Sequence, residues 1–166
     1  MAKTKQFCTF FLNGLFFGVE VLKVQEVIRY QEMTRVPLAP GMIQGLINLR
    51  GQIVTAIDLR HRLELPARDA EQLPMNVVIR SDDGAVSLLV DEIGDVVEIQ
   101  EDTYERPPET LKGLSRELIQ GVYKLKERLL LILDTEKTVS FTAAGIGLRR
   151  TEAESLPAAS SLTIKS

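Results

Sequence analysis

Short apolar runs rich in Val, Ile, Leu and Phe recur along most of this chain, each broken within a few residues by Gly, Pro, Asp or Asn. Runs of this length suit β-strands and are too short for globular helices. They predict strands near 7–12, 15–21, 27–30, 46–50, 53–57, 76–80, 85–90, 96–100, 122–126 and 129–133. Asn13-Gly14 and Asp83-Gly84 fall between neighbouring runs, and both dipeptides tolerate the positive φ that tight hairpins demand. Helix is sparse. Val21, Val24 and Val27 recur every third residue, as one helical turn joining two strands would. Leu59 to Leu63 and Asp134 to Val139 each follow a strand and open near an aspartate able to cap them. Many short strands joined by tight turns predict an all-β fold of small barrels or a sandwich, not a parallel sheet.

A faint duplication sharpens this picture. Gly45 to Leu59 (GLINLRGQIVTAIDL) overlays Gly121 to Thr135 (GVYKLKERLLLILDT) without a gap. Both copies share the opening glycine, the apolar pattern, a basic residue at a turn and a closing aspartate. Upstream, Val19, Val21, Val24 and Val27 match Leu88, Val90, Ile93 and Val96. The connection between the blocks is longer in the second copy, and each carries two prolines, Pro37 and Pro40 in the first, Pro107 and Pro108 in the second. The expectation is two related lobes of about five strands each, a size that can close into a small barrel. Such a barrel alone buries little apolar surface, so the lobes are expected to share a packed interface. A fragment ending near Leu73 would then carry the first lobe.

Composition narrows the partners. Hydrophobic residues make up 45% and charged residues 26%, within the ordinary globular range. A net charge of -3 without a basic run argues against nucleic acid. The single cysteine, Cys8 in FCTFF, cannot form an internal disulfide and is expected to be a small buried hydrophobe. The N-terminus lacks a signal-peptide pattern, and no stretch approaches the roughly 20 apolar residues of a membrane span. A cytoplasmic protein without direct membrane insertion is expected. From residue 142 to 166 the sequence turns to Ala, Ser, Gly and Thr, which predicts a flexible tail after a folded domain over 7–141.

The search for reactive groups finds little. His61 is the only histidine, set between Arg60 and Arg62 and expected to face solvent, so a multi-histidine metal site is excluded. Nucleophile-elbow, P-loop and dinucleotide-binding motifs are missing. The acidic run GDVVEIQEDTYE reads as a solvated strand edge and loop. Neither catalysis, a cofactor nor a metal is expected, and the function indicated is binding to other proteins. Two other classes compete: a two-barrel protein holding a small ligand, and a hydrolase using carboxylates. The first is poorly served by 5% aromatics and no tryptophan.

The same residues resemble a family. FCTFFLNGLFFGVEVLKVQEVIR, VPLAPGMIQGLINLRGQIVTAIDLRHRL, AVSLLVDEIGDVVEI and GVYKLKERLLLILDTEKTV are similar, in order, to signature blocks of CheW, the chemotaxis coupling proteins. The resemblance implies two five-stranded, SH3-like β-barrels packed together. It also implies an adaptor without catalysis, bridging methyl-accepting chemoreceptor tips and the regulatory domain of the histidine kinase CheA in receptor arrays. The pathway it serves could be flagellar or non-flagellar. Carried over by position, receptor binding falls on Val21, Val24, Glu26, Asn48 and Arg50, with Gly45 close by. Val21 and Val24 suit a core equally well. Arg50, in a strand entering a turn, suits a contact with a partner or an internal partnership with Glu26. Kinase binding falls on Ile28, Tyr30, Met33 and Val36.

Overall fold

The computed structural model describes residues 3–82, 84–109 and 114–140. The expected tail lies outside them. All ten expected strands are present: β1 (Thr4–Leu12), β2 (Leu15–Glu20), β3 (Val24–Ile28), β4 (Ile43–Leu49), β5 (Gln52–Asp58), β6 (Met75–Ser81), β7 (Gly84–Val90), β8 (Glu92–Gln100), β10 (Ile119–Lys124) and β11 (Leu129–Leu133). Between β8 and β10 lie two elements the apolar pattern does not announce, the two-residue strand β9 (Tyr104–Glu105) and the short helix α2 (Leu114–Leu118). The helix α1 (Leu59–Arg62) follows β5, and Asp58 caps it by accepting the Arg60 N–H at 3.2 Å. Asp134 does the same for helical residues 135–140, accepting the Lys137 N–H at 3.0 Å.

Turn chemistry explains most of the hairpins. Asn13 and Gly14 have φ of +50° and +79°, as a two-residue reversal between β1 and β2 requires. The β6–β7 reversal sits one residue earlier than Asp83-Gly84 predicts, because Gly84 (φ +113°) already pairs with Ser81 at the start of β7. The Val21-Val24-Val27 spacing produces a single 3-10 turn over Val21–Lys23, and the chain is extended again by Val24.

The strands form two sheets, β8-β1-β2-β11-β10-β9 and β3-β6-β7-β5-β4. This corrects the expectation of one lobe per sequence half. The first hairpin, β1–β2, joins the last strands in the six-stranded lobe, through parallel pairing of β2 with β11. The second hairpin, β6–β7, joins β3, β4 and β5 in the five-stranded lobe, through parallel pairing of β7 with β5. Each repeat therefore lends its opening hairpin to the other repeat's lobe. The chain crosses between lobes after β2 and again after β7.

The duplication itself survives in atomic detail. Asp58 N–H donates to Met42 O at 2.7 Å, and Asp134 N–H donates to Leu118 O at the same distance. Thr34 bridges to Leu46 as Glu105 does to Val122, four residues at matched places in the repeat. These crossings explain the shared glycine. A Cβ on Gly45 would stand 2.7 Å from Thr34 O and 2.9 Å from Met33 Cβ, and one on Gly121 would enter the Tyr104 ring. Gly45→Ala is expected to lower stability by about 1–3 kcal/mol, because the obstacle is backbone. Gly121→Ala should lose less, since the Tyr104 side chain can swing away. Denaturant midpoints test this, and an unchanged midpoint for Gly45→Ala would refute the crossing argument.

Three apolar clusters hold the fold. One fills the five-stranded lobe with Ile47, Leu49, Val54, Ala56, Val78 and Leu89. Another fills the six-stranded lobe with Phe7, Tyr123, Leu130 and Ile132. The largest lies between the sheets, with Phe10, Leu12, Phe17 and Val19 from one side and Val77, Ile79, Leu88 and Val90 from the other. Strands β6, β7 and β11 thus bury alternate residues in a lobe interior and in the shared core. Burial on both faces is why they read as unbroken apolar runs rather than as alternation. Two polar residues buried on β6 and β7 pair with each other: Ser87 Oγ donates to Asn76 Oδ1 at 2.7 Å, and Asn76 Nδ2 donates to Arg29 O at 3.0 Å. Cys8 is half-buried rather than buried, and burial raises its thiol pKa.

Candidate functional site

The β4–β5 hairpin builds the exposed end of the five-stranded lobe. Leu49 pairs with Gln52, leaving Arg50 and Gly51 as the two-residue turn, with φ of +51° and +89°. Asn48 Oδ1 accepts the Gly51 N–H at 2.9 Å and holds this turn from within the strand. Gly51 thus serves the turn, whereas Gly45 serves the crossing of residues 33–34.

Arg50 projects from the turn and forms an ion pair with Glu26 of β3. Its side chain remains 72% exposed, against 20% for Glu26. The hydrogen bond from Arg50 lowers the Glu26 carboxyl below its ordinary pKa. Gln25 Nε2 donates to Gln52 Oε1 at 3.4 Å, a second side-chain contact between β3 and the β4–β5 hairpin. Strands β3 and β4 are the two edges of the five-stranded sheet, so these contacts help close it into a barrel. The internal partnership of Arg50 and Glu26 is therefore present, and it leaves most of the guanidinium facing solvent.

Val21 and Val24 stand half-buried, Val21 in the 3-10 turn and Val24 at the head of β3, with Val24 packed against the shared core. Arg80 Nη1 donates to Leu22 O at 3.3 Å and to Val24 O at 3.0 Å, fixing this crossing from β6. Ile28 and Met33 pack partly against the interior of the five-stranded lobe, and Tyr30 and Val36 are half-buried beside them. A cleft of about 400 Å³ joins the two groups of expected residues. Its lining includes Met33 from one group and Asn48 from the other, along with Gln31, Thr34, Leu46 and Ile53. Gln31, Thr34 and Ile53 carry no sequence signal of their own. Gln31 and Thr34 reach the cleft because residues 31–34 fold over β4, where Thr34 bridges to Leu46, and Ile53 because β5 pairs it with Asn48.

Charged residues also converge away from this face. Asp91, at the crossing from β7 to β8, accepts from Arg60 Nε at 2.9 Å, Arg60 Nη2 at 2.5 Å and Arg68 Nε at 3.0 Å. It also accepts the backbone N–H of Asn13 at 2.8 Å. Arg60 further donates to Pro66 O at 3.0 Å, and Arg62 donates from Nε to Thr138 O at 3.0 Å. These arginines flank a histidine that does face solvent, yet both are themselves buried. The acidic run from Gly94 to Glu105 is solvated along the edge strand β8 and the loop after it, as expected, whereas Asp91, three residues before it, has a side chain only 9% exposed. Among the described residues, no group of three or more His, Cys, Asp or Glu is placed to hold a metal, and no helix is long and apolar enough to cross a membrane.

The comparisons agree with this architecture. Residues 6–142 match the family described as the CheW-like domain. The chain is 32% identical over 136 residues to the chemotaxis protein CheW of Klebsiella aerogenes, covering 82% of each. It is 35% identical over 125 residues to that of Bacillus subtilis, covering 75% of this chain and 80% of the relative. Among solved structures, the scaffolding protein TtCheW of Thermoanaerobacter tengcongensis superposes with a TM-score of 0.72 at 26% identity, covering 80% of this chain and 90% of that one. With two interleaved barrels and a match that runs from β1 through β11, the chain belongs to the CheW-like family.

Proposed function

We propose that this chemotaxis adaptor couples the cytoplasmic tips of methyl-accepting chemoreceptors to the regulatory domain of the histidine kinase CheA. The receptor contact is the exposed end of the five-stranded lobe, with Arg50 as its charged anchor and Glu26, Asn48, Val21 and Val24 around it. Gly45 contributes by admitting residues 33–34 beneath the site. The kinase contact is the segment carrying Ile28, Tyr30, Met33 and Val36, on the far side of the shared cleft. One observation carries the reading: Arg50 is held by a tight turn and an ion pair yet stays 72% exposed. An oriented, solvent-facing guanidinium is preorganised for a partner's carboxylates or carbonyls.

Titration calorimetry of an Arg50→Glu variant against a receptor cytoplasmic fragment, and separately against CheA, tests the assignment. The substitution alone would set two carboxylates together, so it is paired with Glu26→Gln. Receptor affinity is expected to fall about 30-fold or more, as for loss of a charged interface pair. CheA binding and the melting curve should stay near wild type. Unchanged receptor affinity removes Arg50 from the contact, and loss of both partners with a normal melt means that the two surfaces overlap.

A further inference from the structure

Three local features are present twice in this chain: the crossing glycine, the capping aspartate, and the hydrogen bond from that aspartate to the residue three before the glycine. The ion cluster around Asp91 is present once. In the repeat, Asp91 corresponds to Leu22 and Arg60 to Glu136. Leu22 is 88% exposed, and Glu136 is exposed as well. One lobe-to-lobe crossing is therefore closed by buried charge, and the other is not. A feature that one lobe dispenses with is not required to build a lobe.

The cluster instead spans the two lobes. Arg60 and Arg68 follow β5 of the five-stranded lobe, whereas Asn13 belongs to the β1–β2 turn of the six-stranded lobe. Asp91 lies on the crossing between them, and its own N–H donates to Phe11 O at 3.0 Å. Arg68 Nη1 also reaches Asp58 at 3.7 Å, which ties the cluster to the capped start of α1. The side chains of Arg68 and Asp91 are each only 9% exposed. Apolar packing in the shared core attracts the two sheets without fixing a direction. A carboxylate gripped by a forked guanidinium is directional. Buried ion pairs often add little net stability over an apolar replacement, so their effect is better sought in geometry.

We propose that Asp91, Arg60 and Arg68 form an orientation lock that sets the angle between the lobes, and so fixes how the face bearing Arg50 is presented relative to the six-stranded lobe. The lock acts at the β7–β8 crossing, whereas the crossing at the 3-10 turn is held by hydrogen bonds from exposed Arg80 to Leu22 O and Val24 O rather than by buried charge.

The test replaces the three residues by apolar ones, Asp91→Leu with Arg60→Met and Arg68→Leu, so that none of the three is left as a lone buried charge, and Asp58 keeps the backbone N–H of residue 60 that it accepts as a cap. Spin labels on cysteines introduced at exposed Gln44 of β4 and Glu98 of β8, in a Cys8→Ser background, report the inter-lobe distance by pulsed electron resonance. The native cluster should give one narrow distance, and the apolar cluster, with a cooperative melt retained, a broadened or displaced one. A distribution unchanged from the native form overturns the lock and leaves a stability role alone. A broad distribution in the native protein overturns it equally. Should the triple variant fail to fold, Arg68→Met removes one arm while Asp91 keeps Arg60. Partial broadening is then expected, and no change again refutes the proposal.

Discussion

Cut between Leu73 and Pro74, the two halves of this chain are expected not to fold separately and to fold when combined. A fragment ending at Leu73 retains β1, β2, β3, β4 and β5 but loses β6 and β7. Strand β3 then has no partner, β5 loses its parallel neighbour, and the β1–β2 hairpin loses both β8 and β11. What remains is two isolated hairpins, a form of marginal stability in water. The shared core is lost too, because Val77, Ile79, Leu88 and Val90 are on the missing half. The fragment should show poor amide dispersion and no cooperative melt. Mixed with the complementary fragment, each hairpin can find its place in the other repeat's lobe, and a dispersed spectrum should return. The cut falls in a connection between strands, where chain breaks are best tolerated. A folded first fragment would contradict the interleaved topology. Failure of the mixture to recover, with both fragments soluble, would show that the cut connection itself is needed.

The fold's parts were legible in the sequence, and the exchange between halves was not. Asn13-Gly14, Asp58 and Asp134 act locally, so each announces its turn or cap to its immediate neighbours. The duplication was legible because Gly45 and Gly121 answer the same steric demand. Nothing local distinguishes a chain that crosses to the other sheet after Glu20 from one that stays, and the choice is made by parallel pairing with β11, more than a hundred residues away. The same limit hid the buried cluster. Arg60 and Asp91 lie 31 residues apart, and charged residues ordinarily read as solvated. Their burial depends on four segments meeting at one point. Arg50 was more legible, since its place in the tight turn of NLRG puts it outside any core.

Removing the Asp91 carboxylate is expected to be among the most damaging single substitutions in the protein. Asp91→Ala leaves Arg60 and Arg68 buried without their shared partner, and breaking a buried pair in this way costs about 3–5 kcal/mol. Arg60 would keep the carbonyl of Pro66, and Arg68 the more distant Asp58, so the upper end of that range is not expected. Among the described residues, Arg68 Nη2 is already a buried nitrogen without a partner, and the substitution would add others. The effect should depend on pH with a definite sign. Burial alone would raise the Asp91 pKa, but the hydrogen bonds from Arg60, the Asn13 N–H and Arg68 together carry it below the ordinary value. A carboxyl with a depressed folded-state pKa stabilises fully above its unfolded pKa of about 3.9, and that contribution fades as pH falls through the folded value. The gap in unfolding free energy between wild type and Asp91→Ala should therefore be widest near neutral pH and narrow below about pH 4. Denaturant titrations of both proteins between neutral and acid pH decide the matter. A gap that stays constant would mean that the loss comes from packing around the aspartate and not from its charge.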